Sequence, residues 1–253
     1  EDLGITRATL SNGIRLILKP TQFSANEVLF ALSLEGGRAV EPKDRPGLAE
    51  LSRDVINESG VGGLDREALQ IALTGKTTSL SFGFNNDRFF FQGASSPKEI
   101  ELVFQLLHAH LADPAFRPEA FQLAQDRFAQ AYRQMAQSVD AAFGLHAQRF
   151  FSGGDPRFGK PKLEEVRRLN LADIEDWIRP ILSGAPLELA MVGDFELEKV
   201  IALAQQYLGG LAMRPSEYQE IEPGPVFPAG GREQVPVATQ IDKALLLVAF
   251  PTD

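Results

Sequence analysis

Three stretches of this sequence carry residue types that could do chemistry at close spacing. In the run 47–57, Glu50 and Asp54 stand four residues apart. On a helix such carboxylates share one side and could hold a hard cation between them. Arg53 lies on that same side, so the competing reading is a solvated face on which one guanidinium neutralises two acids. A cation would have to displace that charge, which favours the second reading. The three histidines are His108, His110 and His146. His108 and His110 are two apart on a helical pattern, point to different faces and cannot chelate one ion together. The run Gly154-Asp155-Pro156-Arg157-Phe158-Gly159-Lys160-Pro161 nearly matches a phosphate loop. Pro161 stands where a hydroxyl would hold magnesium, and a helical pattern precedes it, so it reads as a plain loop. Gly60-Val61-Gly62-Gly63 lacks the strand–helix setting of a dinucleotide site. There is no G-x-S-x-G elbow, and the absence of Cys excludes thiolate zinc sites, disulfides and thiol nucleophiles.

The elements that would position these residues are legible in outline. Asn12-Gly13 between two apolar runs predicts a hairpin across 8–18, and 28–34 predicts a strand ending at Gly36-Gly37. Pro46-Gly47 leads into a helix reaching Asn57, with Leu48, Leu51 and Val55 on one face and Glu50, Arg53, Asp54 and Asn57 on the other. Asp65 is the expected N-cap of a short helix to Leu73. Leu80, Phe82 and Phe84 alternate as a half-buried strand does, Asn85-Asn86-Asp87 turns, and 88–92 returns. Pro97 and Pro118 open helices, the second reaching about Phe150 with an interruption near Val139. A loop at 153–161, a helix at 173–182, a strand at 187–192 and a helix at 197–208 follow. The irregular interleaving of hairpins and helices predicts an α+β fold, a mostly antiparallel sheet packed on helices.

Residues 1–214 read as one domain, and 215–236 as a linker within a stretch (213–236) that holds five Pro and three Gly. Residues 237–253 read as the first strand of a following, truncated domain, because the apolar run Ala244–Phe250 ends just before Asp253. The chain starts at Glu1 without Met, which fits a mature form or an excised piece of a longer chain, and the apolar run at its end makes a fragment the expectation. That apolar run is the longest dense one and is far too short to cross a bilayer, so no membrane span is expected. A formal net charge of −9 argues against nucleic acid, which needs a Lys/Arg surface.

Several segments, in order, resemble the pitrilysin/insulinase family of zinc metallopeptidases. They are the hairpin Thr9–Leu16, the strand with its glycine-bearing end Leu32–Glu41, Gly47-Leu48-Ala49, and Leu187–Phe195 with the Val-Gly-Asp strand end, followed by 197–211. In active members Gly-Leu-Ala precedes the inverted zinc motif H-x-x-E-H. In that register the motif positions are Glu50, Arg53 and Asp54. Both zinc-binding histidines are absent, and Arg53 stands where a general base would be; a guanidinium accepts no proton. The third ligand of active members, a Glu on a later helix, maps within 127–137, which holds no acid, with Asp126 just outside.

The resemblance therefore implies a pitrilysin/processing-peptidase type domain from the non-catalytic half, with no catalytic, cofactor or metal residues of its own. It implies zinc in a homologous catalytic half, in the same chain or a separate subunit, and a peptide substrate enclosed between the halves. Substrate-holding Arg and Tyr residues would lie past Asp253. Exported relatives suggest the periplasm, with the cytoplasm as the alternative. A stand-alone inactive scaffold or partner subunit is the other role the family offers, and a peptide-binding module unconnected with proteolysis is the third reading.

Overall fold

The computed structural model describes residues 3–215, 226–238, 240 and 242–250. Its centre is a six-stranded sheet in the order β1-β2-β6-β3-β5-β4. The strands are β1 (Thr6–Thr9), β2 (Arg15–Pro20), β3 (Val28–Glu35), β4 (Ser81–Phe84), β5 (Arg88–Ser95) and β6 (Leu187–Gly193). Every pairing is antiparallel except β2 with β6. That parallel pair joins the start of the domain to its end, since β6 inserts between β2 and β3. The mostly antiparallel α+β architecture read from the sequence is the one observed.

Alternation along the strands gives the sheet one core face. Val28, Phe30, Leu32 and Leu34 of β3 are buried, as are Leu187, Leu189 and Met191 of β6, while Leu29 and Val192 on the opposite face are 46% and 38% exposed. Phe82, Phe89 and Phe91 stack across β4 and β5, with Trp177 edge-on to Phe89. Over this face lie α1 (Leu48–Glu58), α3 (Ile100–Ala112), α7 (Leu171–Gly184) and α8 (Leu197–Leu208), all contributing to one continuous core. The short α2 (Arg66–Ala72) starts at Asp65, whose side chain accepts a hydrogen bond from the Ala68 amide.

The long stretch after Pro118 divides into α4 (Pro118–Ala136) and α5 (Val139–Phe151). The break falls at Gln137-Ser138, where Ser138 is extended and its carbonyl accepts the Ala142 amide. A helix that the sequence reading does not contain, α6 (Leu163–Arg168), follows the 153–161 loop. Its six residues are too few for a periodic signal; at its start the Lys162 amide donates to the Glu165 carboxylate at 2.7 Å, and the Glu165 amide donates to the Lys162 carbonyl at 3.1 Å.

Ala244–Phe250, read from the sequence as a strand of a following domain, pairs with no strand among the described residues, and Leu246 and Phe250 are 85% and 80% exposed. An apolar run becomes a strand only where a neighbouring edge takes up its N–H and C=O groups. Residues 216–225 of the linker, and 251–253, lie outside the described residues.

Candidate functional site

Helix α1 carries the three positions singled out in the sequence, and its start is built to a narrow geometry. Gly47 adopts φ 104, and a Cβ there would come within 3.0 Å of Val166 and 3.5 Å of Pro161. The positive φ is what favours glycine, and the tight approach to Val166 adds to it. Gly47 offers no side chain to cap the helix; Glu41 does so from outside, accepting the Ala49 amide at 2.5 Å and the Gly47 amide at 3.4 Å. Glu41 is buried, and the loss of water pushes its carboxyl up to about 7, against the pull of those amides and of Arg38.

One turn along, Glu50 is 4% exposed, so this is not the solvated face that the sequence pattern suggests. It is tied to three cations. Lys160 Nζ donates to its Oε1 at 2.6 Å, Arg38 donates to its Oε2 at 3.1 Å, and Arg53 approaches its Oε1 at 3.5 Å. Burial would raise the Glu50 carboxyl, but Lys160, Arg53 and Arg38 outweigh it and hold the group below its ordinary value. Arg53 also donates to Asp54 at 2.7 Å. Arg38 and Arg53 both lie against the ring of Phe84, at 5.0 and 5.9 Å, so β4 shields the cluster from one side.

Lys160 comes from the loop that reads as chemically plain in the sequence. That loop is fastened to the segment before α1: Arg38 donates to the Gly159 carbonyl, Arg157 to the Ala39 carbonyl at 2.7 Å, and Lys43 pairs with Asp155 at 3.2 Å. The space bounded by Arg38, Glu41, Gly47, Glu50, Gly159 and Pro161 has no room for a water molecule. Sequence reasoning missed Arg38, Glu41 and Lys160 as members of this site. Glu50 and Lys160 are 110 positions apart, and no local pattern links them.

Helix α4 packs on α1 but brings no acid to the cluster. Phe128 lies under the Lys160 ammonium at 5.3 Å, and Arg127 pairs with Glu58 at 2.6 Å. Asp126 faces elsewhere, on an open groove of α4 with Pro118 and Gln122. The histidines are dispersed. His110 is buried beside Phe91, at 5.1 Å between rings, and burial lowers its pKa to about 4. His108 Nδ1 bonds to the Tyr207 carbonyl at 2.7 Å, and His146 lies 3.9 Å from Glu233.

Among the described residues no group of three or more His, Cys, Asp or Glu is disposed to hold a metal ion. Around Glu50 the donor set is wrong for zinc in kind. It offers carboxylates already bound to fixed cations and no imidazole. Arg53, paired with Asp54, is a guanidinium and accepts no proton. Among the described residues no helix is long and apolar enough to cross a membrane.

Comparison with known proteins agrees with this geometry. Residues 168–253 match a family model described as the Peptidase M16 inactive domain. Over 224 residues the chain is 28% identical to the chloroplastic stromal processing peptidase of Oryza sativa subsp. indica, covering 87% of this chain and 18% of that protein. The fold is similar to that of the periplasmic protease PqqL from Escherichia coli (TM-score 0.74, 22% identity, 89% of this chain and 25% of that one). It is equally similar to a peptidase M16 inactive domain from Pseudomonas fluorescens (TM-score 0.74, 18% identity, 88% and 54%). The chain spans about a fifth of the length of the curated relatives it matches.

Proposed function

We propose, from this kinship with the M16 zinc peptidases, that the chain is the first domain of a non-catalytic half. In that role it helps to enclose peptide substrate against a homologous half that carries the zinc. The observation that carries the reading is the face of α1. In the register that the resemblance implies, the positions of the zinc motif are Glu50, Arg53 and Asp54; Glu50 is held by Arg38, Lys160 and Arg53, Asp54 pairs with Arg53, and none of the three is a histidine. Residues 1–214 are the domain, 215–236 the linker, and 237–253 the opening of a following homologous domain. The sheet of that next domain would give 244–250 the strand partner it lacks here. The periplasm is the proposed compartment, supported by the fold shared with a periplasmic protease.

The test has two parts. The isolated chain should hydrolyse peptides no faster than a chelator-treated control; robust zinc-dependent cleavage would overturn the reading. The full coding sequence around this chain should encode a half with H-x-x-E-H and bind about one zinc per polypeptide. If neither that half nor zinc is found in the same polypeptide, the chain is instead a separate scaffold or partner subunit.

A further inference from the structure

Five contacts lay the later part of the linker on one helix. A Cβ on Gly153, just past the end of α5, would lie 2.5 Å from the Val226 carbonyl oxygen. Phe227 stacks on Phe151, with 5.9 Å between ring centres and 5° between planes. A Cβ on Gly231 would lie 3.2 Å from the Phe150 ring. Farther on, Glu233 lies 3.9 Å from His146, and Lys243 donates to Asp140 at 2.6 Å. The order is regular: as the chain runs from 226 to 243, its partners run back along α5 from 153 to 140. A flexible tether keeps no such order.

The contacts are unequal. The two ion pairs join exposed side chains and add little. The ring stack and the close backbone approaches are what hold the segment, and Phe227 and Pro228 are half-buried there. The chain is also fixed just before the linker. The Arg214 amide donates to the Asn12 carbonyl at 2.9 Å, and the Arg214 guanidinium donates to the carbonyls of Leu182 and Ala185.

We propose that residues 226–243 are a strap docked along α5, and that the strap sets where the following chain leaves the domain: beside Asp140, at the start of α5. It delivers to that point the apolar run 244–250, which pairs with no strand among the described residues. On the functional reading above, a next domain that takes up this run as its first strand is held against the corner between α4 and α5 instead of swinging on a tether. The docking itself rests on the contacts with α5 alone and holds equally if the chain is a scaffold.

The experiment measures a distance inside the 253-residue chain, which has no Cys of its own. Spin labels on cysteines introduced at exposed Gln148 of α5 and exposed Gln234 of the strap should give one narrow distance distribution. Phe227→Ala should broaden it. The same substitution should speed tryptic cleavage after Arg232 by on the order of tenfold, because cleavage follows the undocked population. Gly231→Val, which sets a side chain against the Phe150 ring, should do likewise. In both variants the unfolding midpoint followed by Trp177 fluorescence should stay at the wild-type value, because neither residue belongs to the core. The proposal is overturned if the labelled chain without further substitution already gives a broad distribution, or if Phe227→Ala and Gly231→Val leave distance and cleavage unchanged. Should Phe227→Ala shift the Trp177 midpoint, Gly231→Val decides by the same two readings. Peptide cleavage and zinc content enter none of these outcomes, so failure here and failure of the functional reading are distinct.

Discussion

Two buried titratable side chains give the stability of this domain a pH dependence that their opposition conceals. Glu41 is raised from 4.5 to about 7 by burial, so the folded state holds its proton longer than the unfolded chain does. Its contribution is complete below about 4.5 and is lost as pH rises through about 7, a swing of roughly 3 kcal/mol. His110 is lowered from 6.5 to about 4, so its contribution is complete above 6.5 and is lost as pH falls towards 4. Between 4.5 and 6.5 the two slopes have opposite sign. Glu41→Gln should therefore leave a stability that rises with pH across that window, and His110→Phe one that falls. Urea midpoints at about pH 5 and about pH 8 measure both, and parallel profiles for the two variants would contradict the assignment.

At the scale of elements, the loop between β1 and β2 does more than reverse the chain. Its partners Thr9 and Arg15 leave five residues between the strands, not the two-residue turn that Asn-Gly suggests. Gly13 does take positive φ, at 89°, and a Cβ there would lie 2.3 Å from the Arg214 carbonyl oxygen. Asn12, by contrast, is buried, and its amide nitrogen donates to the carbonyls of Leu208 (2.8 Å) and Leu211 (3.2 Å), closing the C-terminal end of α8. Arg214 does the same for α7, donating to the carbonyls of Leu182 (2.6 Å) and Ala185 (2.9 Å). Asn12→Ala leaves those α8 carbonyls without their donor and should cost about 1–3 kcal/mol. Asn12→Asp should cost at least as much, because a carboxylate brings no N–H. Equilibrium urea unfolding measures both, and an Asn12→Ala variant as stable as wild type would show that the residue serves only the turn.

For the whole molecule, the insertion of β6 between β2 and β3 means that the N-terminal hairpin and the C-terminal strand of the domain share one core. Phe91 on β5 lies inside that core, fully buried and in ring contact with Phe82 and His110. Phe91→Ala should cost about 3–5 kcal/mol, whereas Ile71→Ser on α2, at a side chain 67% exposed, should fall within about 0.5 kcal/mol of wild type. Chemical denaturation followed by tryptophan fluorescence is a convenient reading, since the single tryptophan, Trp177, packs edge-on to Phe89 in the same core. An equal response to the two substitutions would refute this picture of the core.

Most of the elements were determined by local pattern. Alternating burial set β3 to β5, apolar spacing set α1, α3 and α8, and Asp65 and Pro118 marked helix starts, because these signals depend on neighbours within one or two turns. The carboxylates and guanidinium of Glu50, Arg53 and Asp54 on one side of α1 were equally legible, since that is a matter of residue type at fixed spacing. The tertiary structure alone decided their surroundings. Whether Glu50 is solvated or buried depends on Arg38, Lys160 and Phe84, which reach it from three other segments, and the ion pair with Lys160 closes across 110 positions of sequence. The same limit explains 244–250: an apolar run carries the propensity for a strand in its sequence, but hydrogen bonding across strands belongs to a partner, and only the folded arrangement supplies or withholds one.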